Sequence, residues 1–313
     1  MLFGMIYLYN ITGSLNYYVL LTYPLAAADQ NLIWLCFFLA FAVKMPLFPF
    51  HIWLPEAHVE APTAGSMLLA SLLLKLGGYG FLRFSRTFLA EATHLFTPVV
   101  SALALAGVIY GSLSTLRQVD LKRIIAYSSV SHMNLVVLGI FSFNQEGLEG
   151  ATYLMVAHGL VSSALFFCVG VIYDRAHSRL LRYYGGLVTV MPLFATGLFV
   201  FSLANMSFPG TPNFIGELLI FTGIFQRSTI VLLLSTAGIV LSAAFSVFLF
   251  NRVAFGTLKT KYSSEFTDAN RRECAILFIL LIPTLLLGVC SNIVLEFTMY
   301  SIADIAAYFP TSA

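Results

Sequence analysis

The chain has 313 residues, of which 59% are hydrophobic and only 10% are charged, and its mean hydropathy is +0.90. A soluble domain averages about 25% charged residues, so the composition excludes a soluble fold and predicts an integral membrane protein. The net charge of +2 is too small to indicate nucleic-acid binding. The four cysteines lie apart, without the spacing of disulfides or metal ligands.

Apolar segments recur at a length that suits membrane-spanning helices of about 20 residues, and Pro, Gly and charged residues bound them. The predicted fold class is therefore an all-α polytopic membrane bundle. In chain order, the predicted segments are 1–9, 32–50, 62–84, 97–116, 121–143, 150–172, 187–224, 230–255 and 273–297. The first is too short to span alone. The segment 187–224 is too long for one straight helix, and SFPGTPN at 207–213 predicts a break inside it.

Five Lys, His or Glu residues lie in the interior of these apolar segments, away from their ends: Lys44, Lys75, His132, His158 and Glu217. A charge at bilayer depth costs roughly 2.5 kcal/mol, so a chain that keeps several of them is expected to use them. The first hypothesis is a proton or ion path, since histidine exchanges protons near neutral pH and burial lowers the pKa of lysine. The alternatives are structural ion pairs for the lysines and the glutamate, and simple bonds between helices for the histidines.

Two of these charges adjoin proline-rich stretches. Pro46 and Pro49 follow Lys44, and Pro212 precedes Glu217 by roughly one and a half helical turns. Proline frees backbone carbonyls that hydrocarbon cannot satisfy, so both stretches predict interrupted helices that face protein or a hydrated cavity. Interrupted helices of this kind line the ion sites of transporters.

Other polar clusters have simpler interpretations. HIWLPEAHVEAP at 51–62 holds two histidines and two glutamates, but it matches no standard metal-ligand spacing and is interpreted as a loop. Lys122 lies in a charge cluster at a predicted membrane boundary, where solvated charge is the default, and it is kept as an additional relay candidate. The loops around 175–182 and 252–272 are the richest in Lys and Arg, which the positive-inside rule places on the cytoplasm-equivalent side.

Five strings of the sequence form distinctive motifs: FAVKMPLFPFHIWLPEAHVEAPTAGS, LLLKLGGYGFLRF, LRQVDLKRIIAYSSVSHMNLVVLGIFS, AHGLVSSALFFCVGVIYDR and LANMSFPGTPNFIGELLI. They resemble the subunit 4 family of NADH dehydrogenase, the antiporter-like proton-pumping subunits of respiratory complex I. The similarity runs through nearly the whole chain, and the motifs are most like those of mitochondrial members of the family from plants and algae. It implies an antiporter-like bundle with broken transmembrane helices and a central hydrophilic axis.

By motif position, the resemblance implies a proton relay along that axis. Lys44 would be the lysine of the first broken helix, Lys75 the central lysine and Glu217 the carboxylate of the second broken helix, while His132 and His158 would lie between them. The implied function is proton translocation in the mitochondrial inner membrane, coupled to quinone reduction elsewhere in NADH:ubiquinone oxidoreductase. The chain itself would hold no cofactor and do no redox chemistry; FMN, iron–sulfur clusters and ubiquinone would belong to other subunits.

The sequence also departs from that family at its N-terminus, where the first five helices and a glutamate that pairs with the lysine matching Lys44 are missing. We expect three regions: a partial first helix and loop (1–30), core helices with the lysine axis (31–186) and C-terminal helices with the break at 207–213 (187–313). The expected partners are other membrane-arm subunits of complex I and a separate chain that completes the fold. The competing ideas are a shortened subunit that does not pump, a stand-alone cation/proton antiporter, and a structural membrane subunit.

Overall fold

A computed structural model describes residues 1–259 and 266–307 of the chain. Within those residues there is no strand, and one isolated antiparallel bridge joins Asp120 to Leu180. Seven helices in this part of the chain are long and apolar enough to cross a membrane. The predicted class, an all-α polytopic membrane protein, is therefore confirmed. Lys261, in the second basic loop, lies outside the described residues.

The helices define the elements used below. They are α1 Leu2–Thr12, α2 Tyr17–Thr22, α3 Ala27–Lys44, α4 Trp53–Glu60, α5 Thr63–Ser85, α6 Ala90–Arg117, α7 Leu121–Ile140, α8 Gln145–Ala176, α9 Pro192–Asn205, α10 Pro212–Arg227, α11 Thr229–Ala254, α12 Arg271–Val289 and α13 Asn292–Ala307. Helix α5 is continuous but contains two π-helical turns, at Leu69–Leu73 and Phe81–Ser85.

Two interruptions divide would-be membrane spans. Helix α9 ends at Asn205 and α10 begins at Pro212, so the break predicted within 207–213 is confirmed. Ser207 and Gly210 both have positive φ, 59° and 92°, so the backbone leaves the α-helical conformation there. The other interruption separates Lys44, the last residue of α3, from Trp53, the first of α4.

Two predictions about local structure are wrong. The stretch predicted as a loop around Pro55 is largely the helix α4, because proline in the first turn of a helix removes a donor that has no partner there anyway. The single C-terminal segment predicted at 273–297 is two helices. Its break falls at Cys290 and Ser291, where the Ser291 carbonyl accepts the amides of Val294 and Leu295 and starts α13.

Helix α8 is the centre of the bundle. It packs against α5, α7, α9, α10, α12 and α13, and both α7 and α8 are buried along most of their length. Small residues at the contact of α8 with α10 allow the backbones to approach closely, which is the usual way that membrane helices associate. The residues on α7 and α8 are therefore shielded from lipid by other helices.

Candidate functional site

The side chain of Lys75 points from α5 toward the central helix α8. Its Nζ lies 2.9 Å from Nδ1 of His158 and donates to the Ala70 carbonyl at 2.5 Å. His158 is 1% exposed, so the contact lies inside the bundle. An ammonium group that donates to a neutral imidazole is a geometry in which a proton can pass between the two nitrogens.

The local backbone explains the second contact of Lys75. In the π-helical turn Leu69–Leu73, the Leu74 amide donates to the Leu69 carbonyl five residues back, so the hydrogen-bond ladder shifts in register. The Ala70 carbonyl at this turn accepts the Lys75 ammonium. Single π-helical turns inside α-helices are frequent at functional sites.

A second buried pair lies on the other side of His158. Nδ1 of His132 on α7 lies 3.1 Å from Oε1 of Glu217 on α10, and both side chains are buried, with 3% and 6% exposure. Glu217 lies in the first turns of α10, five residues after Pro212, the residue that begins the helix after the break. The break thus sets the position where a carboxylate enters the bundle.

The two pairs are adjacent. The rings of His132 and His158 are 5.6 Å apart between centroids and inclined by 53°. Each ring uses Nδ1 for its charged neighbour, and each leaves a buried Nε2 without a hydrogen-bond partner among the described residues. The structure therefore brings four of the predicted residues into one buried series, Lys75, His158, His132 and Glu217.

Glycines fix the last member of this series. A Cβ built on Gly216 would lie 2.9–3.0 Å from three atoms of Leu154, and one built on Gly150 would lie 2.6 Å from the Ile220 amide nitrogen. A side chain at either position would push α10 away from α8. Sequence reasoning overlooked both glycines, although the position of Gly216 directly before the predicted Glu217 was a usable signal.

The series also has a neighbouring cavity. Glu217 lines an open apolar cavity of about 600 Å³ between α10 and α11, together with Phe221, Phe225 and Leu232. The carboxylate is therefore next to space that leads out of the bundle, whereas both histidines are buried by other helices and Lys75 is partly exposed.

Two other predicted residues lie apart from the series. Lys44 is exposed at the end of α3 and makes no hydrogen bond or ion pair within residues 1–259 and 266–307. Lys122 is 4% exposed, and its Nζ donates to the Ala61 carbonyl at 2.7 Å, which anchors the start of α7 to the end of α4. Neither lysine contacts Lys75, His132, His158 or Glu217.

The polar cluster on α4 has structural contacts. Glu56 pairs with Arg123 on α7 at 3.0 Å, and the His58 ring stacks on Phe166 at 4.4 Å. The part of the chain that the structure describes contains no group of His, Cys, Asp and Glu arranged to hold a metal ion.

A fully buried cation, Arg86, escaped the sequence analysis because it lies in the short turn between α5 and α6. Its guanidinium lies 4.3 Å over the ring of Phe143, and Arg227 stands 5.1 Å from the same ring. Burial, with the nearby charge of Arg227, lowers the pKa of Arg86 to about 9. This cluster ties together the ends of α5, α7 and α10.

An all-α membrane bundle with interrupted helices and a buried Lys–His–His–Glu series defines an antiporter-like membrane protein. The chain belongs to the NADH:quinone oxidoreductase/Mrp antiporter transmembrane family, whose model matches residues 1–246. It is 50% identical over 308 residues to NADH-ubiquinone oxidoreductase chain 4 of Marchantia polymorpha, an alignment that covers 98% of this chain and 62% of the relative. The resemblance drawn from the motifs is therefore confirmed.

Solved structures agree with the fold. A chain of respiratory complex I from Thermus thermophilus, solved with bound NADH, superposes with a TM-score of 0.92 at 28% identity, covering 99% of this chain and 66% of that one. A chain of the Mrp complex from a Dietzia species gives 0.85 at 20% identity, covering 99% and 65%, which shows a shared fold only. The chain spans about 60% of the length of the curated relatives that it matches.

Proposed function

We propose that this chain translocates protons as a multi-pass membrane-arm subunit of NADH:ubiquinone oxidoreductase, respiratory complex I, in the mitochondrial inner membrane. The observation that carries the proposal is the buried series from Lys75 to Glu217, whose members come from four different helices. The similarity to chain 4 of Marchantia polymorpha supports the assignment to this complex.

The partners of each histidine suggest the direction of transfer. If Lys75 is charged, it donates to Nδ1 of His158, which places the His158 hydrogen on Nε2. If Glu217 is ionised, it accepts from Nδ1 of His132, which leaves Nε2 of His132 as an acceptor. One Nε2 then carries a hydrogen and the other is a free acceptor, on two rings whose centroids are 5.6 Å apart.

A proton transfer along the series follows from these roles. Lys75 gives a proton to Nδ1 of His158, and the proton on Nε2 leaves toward Nε2 of His132. The hydrogen on Nδ1 of His132 then passes to Glu217. A centroid spacing of 5.6 Å suits transfer through one intervening water molecule. The net result is one proton moved from Lys75 to Glu217, next to the cavity between α10 and α11.

Energy for this movement would come from other subunits. Quinone reduction elsewhere would shift charge along the membrane arm and change the protonation of Lys75. Each proton moved across the membrane works against about 2.3 kcal/mol per 100 mV of potential. FMN, iron–sulfur clusters and ubiquinone would lie in those subunits, and this chain would take part without redox chemistry of its own.

We also propose that a separate chain packs on the outer face of α3 and α5. The position of Lys44 supports this part of the proposal. Exposed apolar side chains follow α3 at helical spacing, including Leu35, Leu39 and Val43, and Lys44 ends the same helix with an exposed ammonium. A charge held at a lipid-facing position is costly, so a helix bearing a carboxylate is the expected partner. Other membrane-arm subunits are proposed as the remaining neighbours.

Cross-linking tests this partner directly. A photo-reactive group introduced at Leu39 in the purified complex should capture a second polypeptide. The captured segment should contain a Glu or Asp placed to face Lys44. Capture of lipid alone would reject the separate chain and favour the shortened subunit that does not pump.

The proton relay is tested by replacing its first member in the assembled complex. Lys75→Met should strongly lower NADH-driven proton uptake into proteoliposomes, because a positioned proton-transfer group contributes about 10²–10⁴-fold to a rate. Arg83→Gln provides the control, because Arg83 is an exposed cation on the same helix, outside the series. Unchanged pumping in the Lys75 variant would instead favour a structural membrane subunit.

The stand-alone antiporter predicts a different result. The Mrp complex shares the fold at 20% identity, whereas the relatives near 50% identity are NADH-ubiquinone oxidoreductase chains, which favours complex I. If the native chain purifies in an assembly that does not oxidise NADH, the antiporter is the correct function.

A further inference from the structure

An open cavity of about 910 Å³ lies at one end of α6 and α11, away from the buried titratable series. Helix α6 ends at Arg117 and α11 at Ala254, and both helices are long enough to cross a membrane. Their shared end therefore marks a bilayer boundary. The loop segments 180–185 and 255–259 complete the wall.

The cavity is strongly basic. Arg117, Arg182, Arg252 and Lys259 all line it, and none of the described lining residues is acidic. Arg117, Arg182 and Arg252 are exposed and form no ion pair with any residue in 1–259 or 266–307. The nearby carboxylate of Asp120 is engaged elsewhere, since it lies 3.8 Å from Arg179 and accepts the Lys122 amide.

The contacts of these cations are with neutral groups. Arg182 donates to the Tyr183 hydroxyl at 2.7 Å, and the Arg252 guanidinium lies 5.4 Å from the ring of Phe248. Such contacts orient the guanidinium groups without cancelling their charge. Arg117 and Arg252 also stand in the last turns of α6 and α11, where a cation offsets the helix dipole, but Arg182 lies in a loop and needs another explanation.

Apolar side chains form the other part of the wall. Val119 and Phe255 are 65% and 55% exposed, and Leu116 and Phe248 lie beside them on α6 and α11. A ligand that fits must therefore join an anionic group, at the level of the arginines, to an apolar body that extends along the helices. Basic pockets between membrane helices at this depth bind anionic lipid headgroups.

We propose that this cavity binds an anionic phospholipid, with its phosphate held by Arg117, Arg182 and Arg252 and its acyl chains against Leu116, Phe248 and Phe255. Charge complementarity selects the lipid, since all the charged residues in the described part of the lining are cations. The site is independent of the proton relay, so a defect here leaves the relay residues intact.

Photo-labelling in the assembled complex tests this site. The complex is reconstituted with a diazirine-bearing phosphatidylglycerol probe, and labelled peptides are identified by mass spectrometry. We expect labels on peptides that contain Leu116 and Phe255. Arg117→Gln and Arg252→Gln should each weaken competition by unlabelled phosphatidylglycerol about fivefold, the equivalent of about 1 kcal/mol per cation.

Three controls keep the proposal falsifiable. Arg271→Gln removes an exposed cation outside the cavity and should leave competition by unlabelled phosphatidylglycerol unchanged. Arg117→Lys keeps a cation at the site and should retain most of that competition. If phosphatidylcholine competes with the probe as well as phosphatidylglycerol does, the site does not select anionic lipids and the proposal is overturned. If inorganic phosphate competes equally well, the site binds free phosphate and not a lipid headgroup, which also overturns it. Cross-links from Val119 to another subunit, with no lipid label, would show that a protein fills the cavity and would also overturn it.

Discussion

Lys75 on α5 and His158 on α8 are joined by a 2.9 Å contact between Nζ and Nδ1, inside the bundle and across the two helices. A Cβ built on the neighbouring Gly159 would lie 3.2 Å from the Ser71 carbonyl oxygen, so the two helices pack closely at this level. The contact therefore depends on a small residue next to the histidine as well as on the two titratable groups.

Replacing His158 should interrupt the series without removing a charge. His158→Phe keeps a ring of similar size but removes the Nδ1 acceptor for Lys75. We expect NADH-driven proton uptake to fall by about a hundredfold, the lower end of the contribution of a proton-transfer group. His177→Asn is the matched control, because His177 caps the same helix in a left-handed conformation that asparagine tolerates. Pumping that falls equally in both variants would contradict a specific role for His158.

Gly216→Ala tests whether close helix packing sets the position of Glu217. The added Cβ would meet Leu154 at 2.9–3.0 Å, including backbone atoms that cannot move aside easily. We expect a loss of about 1–3 kcal/mol in stability, as for other overpacked sites, together with reduced pumping. Gly65→Ala is the control, since its Cβ would meet only ordinary contacts at 3.4 Å and beyond. Thermal unfolding of the purified complex measures the first effect, and equal stability of the two variants would rule out the packing argument.

Arg175 on α8 and Glu273 on α12 form a well-shielded ion pair. Two guanidinium nitrogens contact the two carboxylate oxygens at 3.1 and 2.7 Å, and the side chains are only 11% and 12% exposed. Glu273 also accepts the Asn270 amide and caps α12. Arg175→Gln should therefore lower stability by about 2 kcal/mol, the size of a hydrogen bond to a charged group.

The exposed pair of Arg123 and Glu56 offers the comparison for that experiment. Its side chains are 39% and 59% exposed, so Arg123→Gln should cost less than about 1 kcal/mol. Chemical denaturation followed by helix content measures both variants under the same conditions. A larger loss for Arg123→Gln than for Arg175→Gln would contradict the ranking by burial.

Much of the fold follows from the sequence because lipid imposes strict rules. Length and hydropathy indicate the spans, and the prolines at 207–213 indicate the break before Glu217. The proposed regions 1–30, 31–186 and 187–313 stay a prediction. The helix at 53–60 was predicted as a loop because Pro55 was interpreted as a helix breaker, although proline is tolerated in the first turn of a helix.

The site was only partly predictable. Cost of burial indicated Lys75, His132, His158 and Glu217, and the structure places them together, but their roles stay predictions. The same argument gave Lys44, which lies elsewhere, because hydropathy reports depth along a helix and not the direction in which a side chain points. Lys122, an additional candidate from a predicted membrane boundary, also lies apart from the series. The π-helical turn that presents the Ala70 carbonyl to Lys75 has no sequence pattern of its own.

The ratio of protons pumped to electrons transferred, measured in proteoliposomes with Glu217→Gln and Glu217→Asp, tests the relay most directly. Glutamine removes the carboxylate that pairs with His132, whereas aspartate keeps it on a shorter side chain. Glu91→Gln, at an exposed position in the first turn of α6, provides the control. The relay predicts a lower ratio for Glu217→Gln, partial recovery with aspartate and no change in the control. A ratio for Glu217→Gln equal to that of the unmodified complex would contradict it.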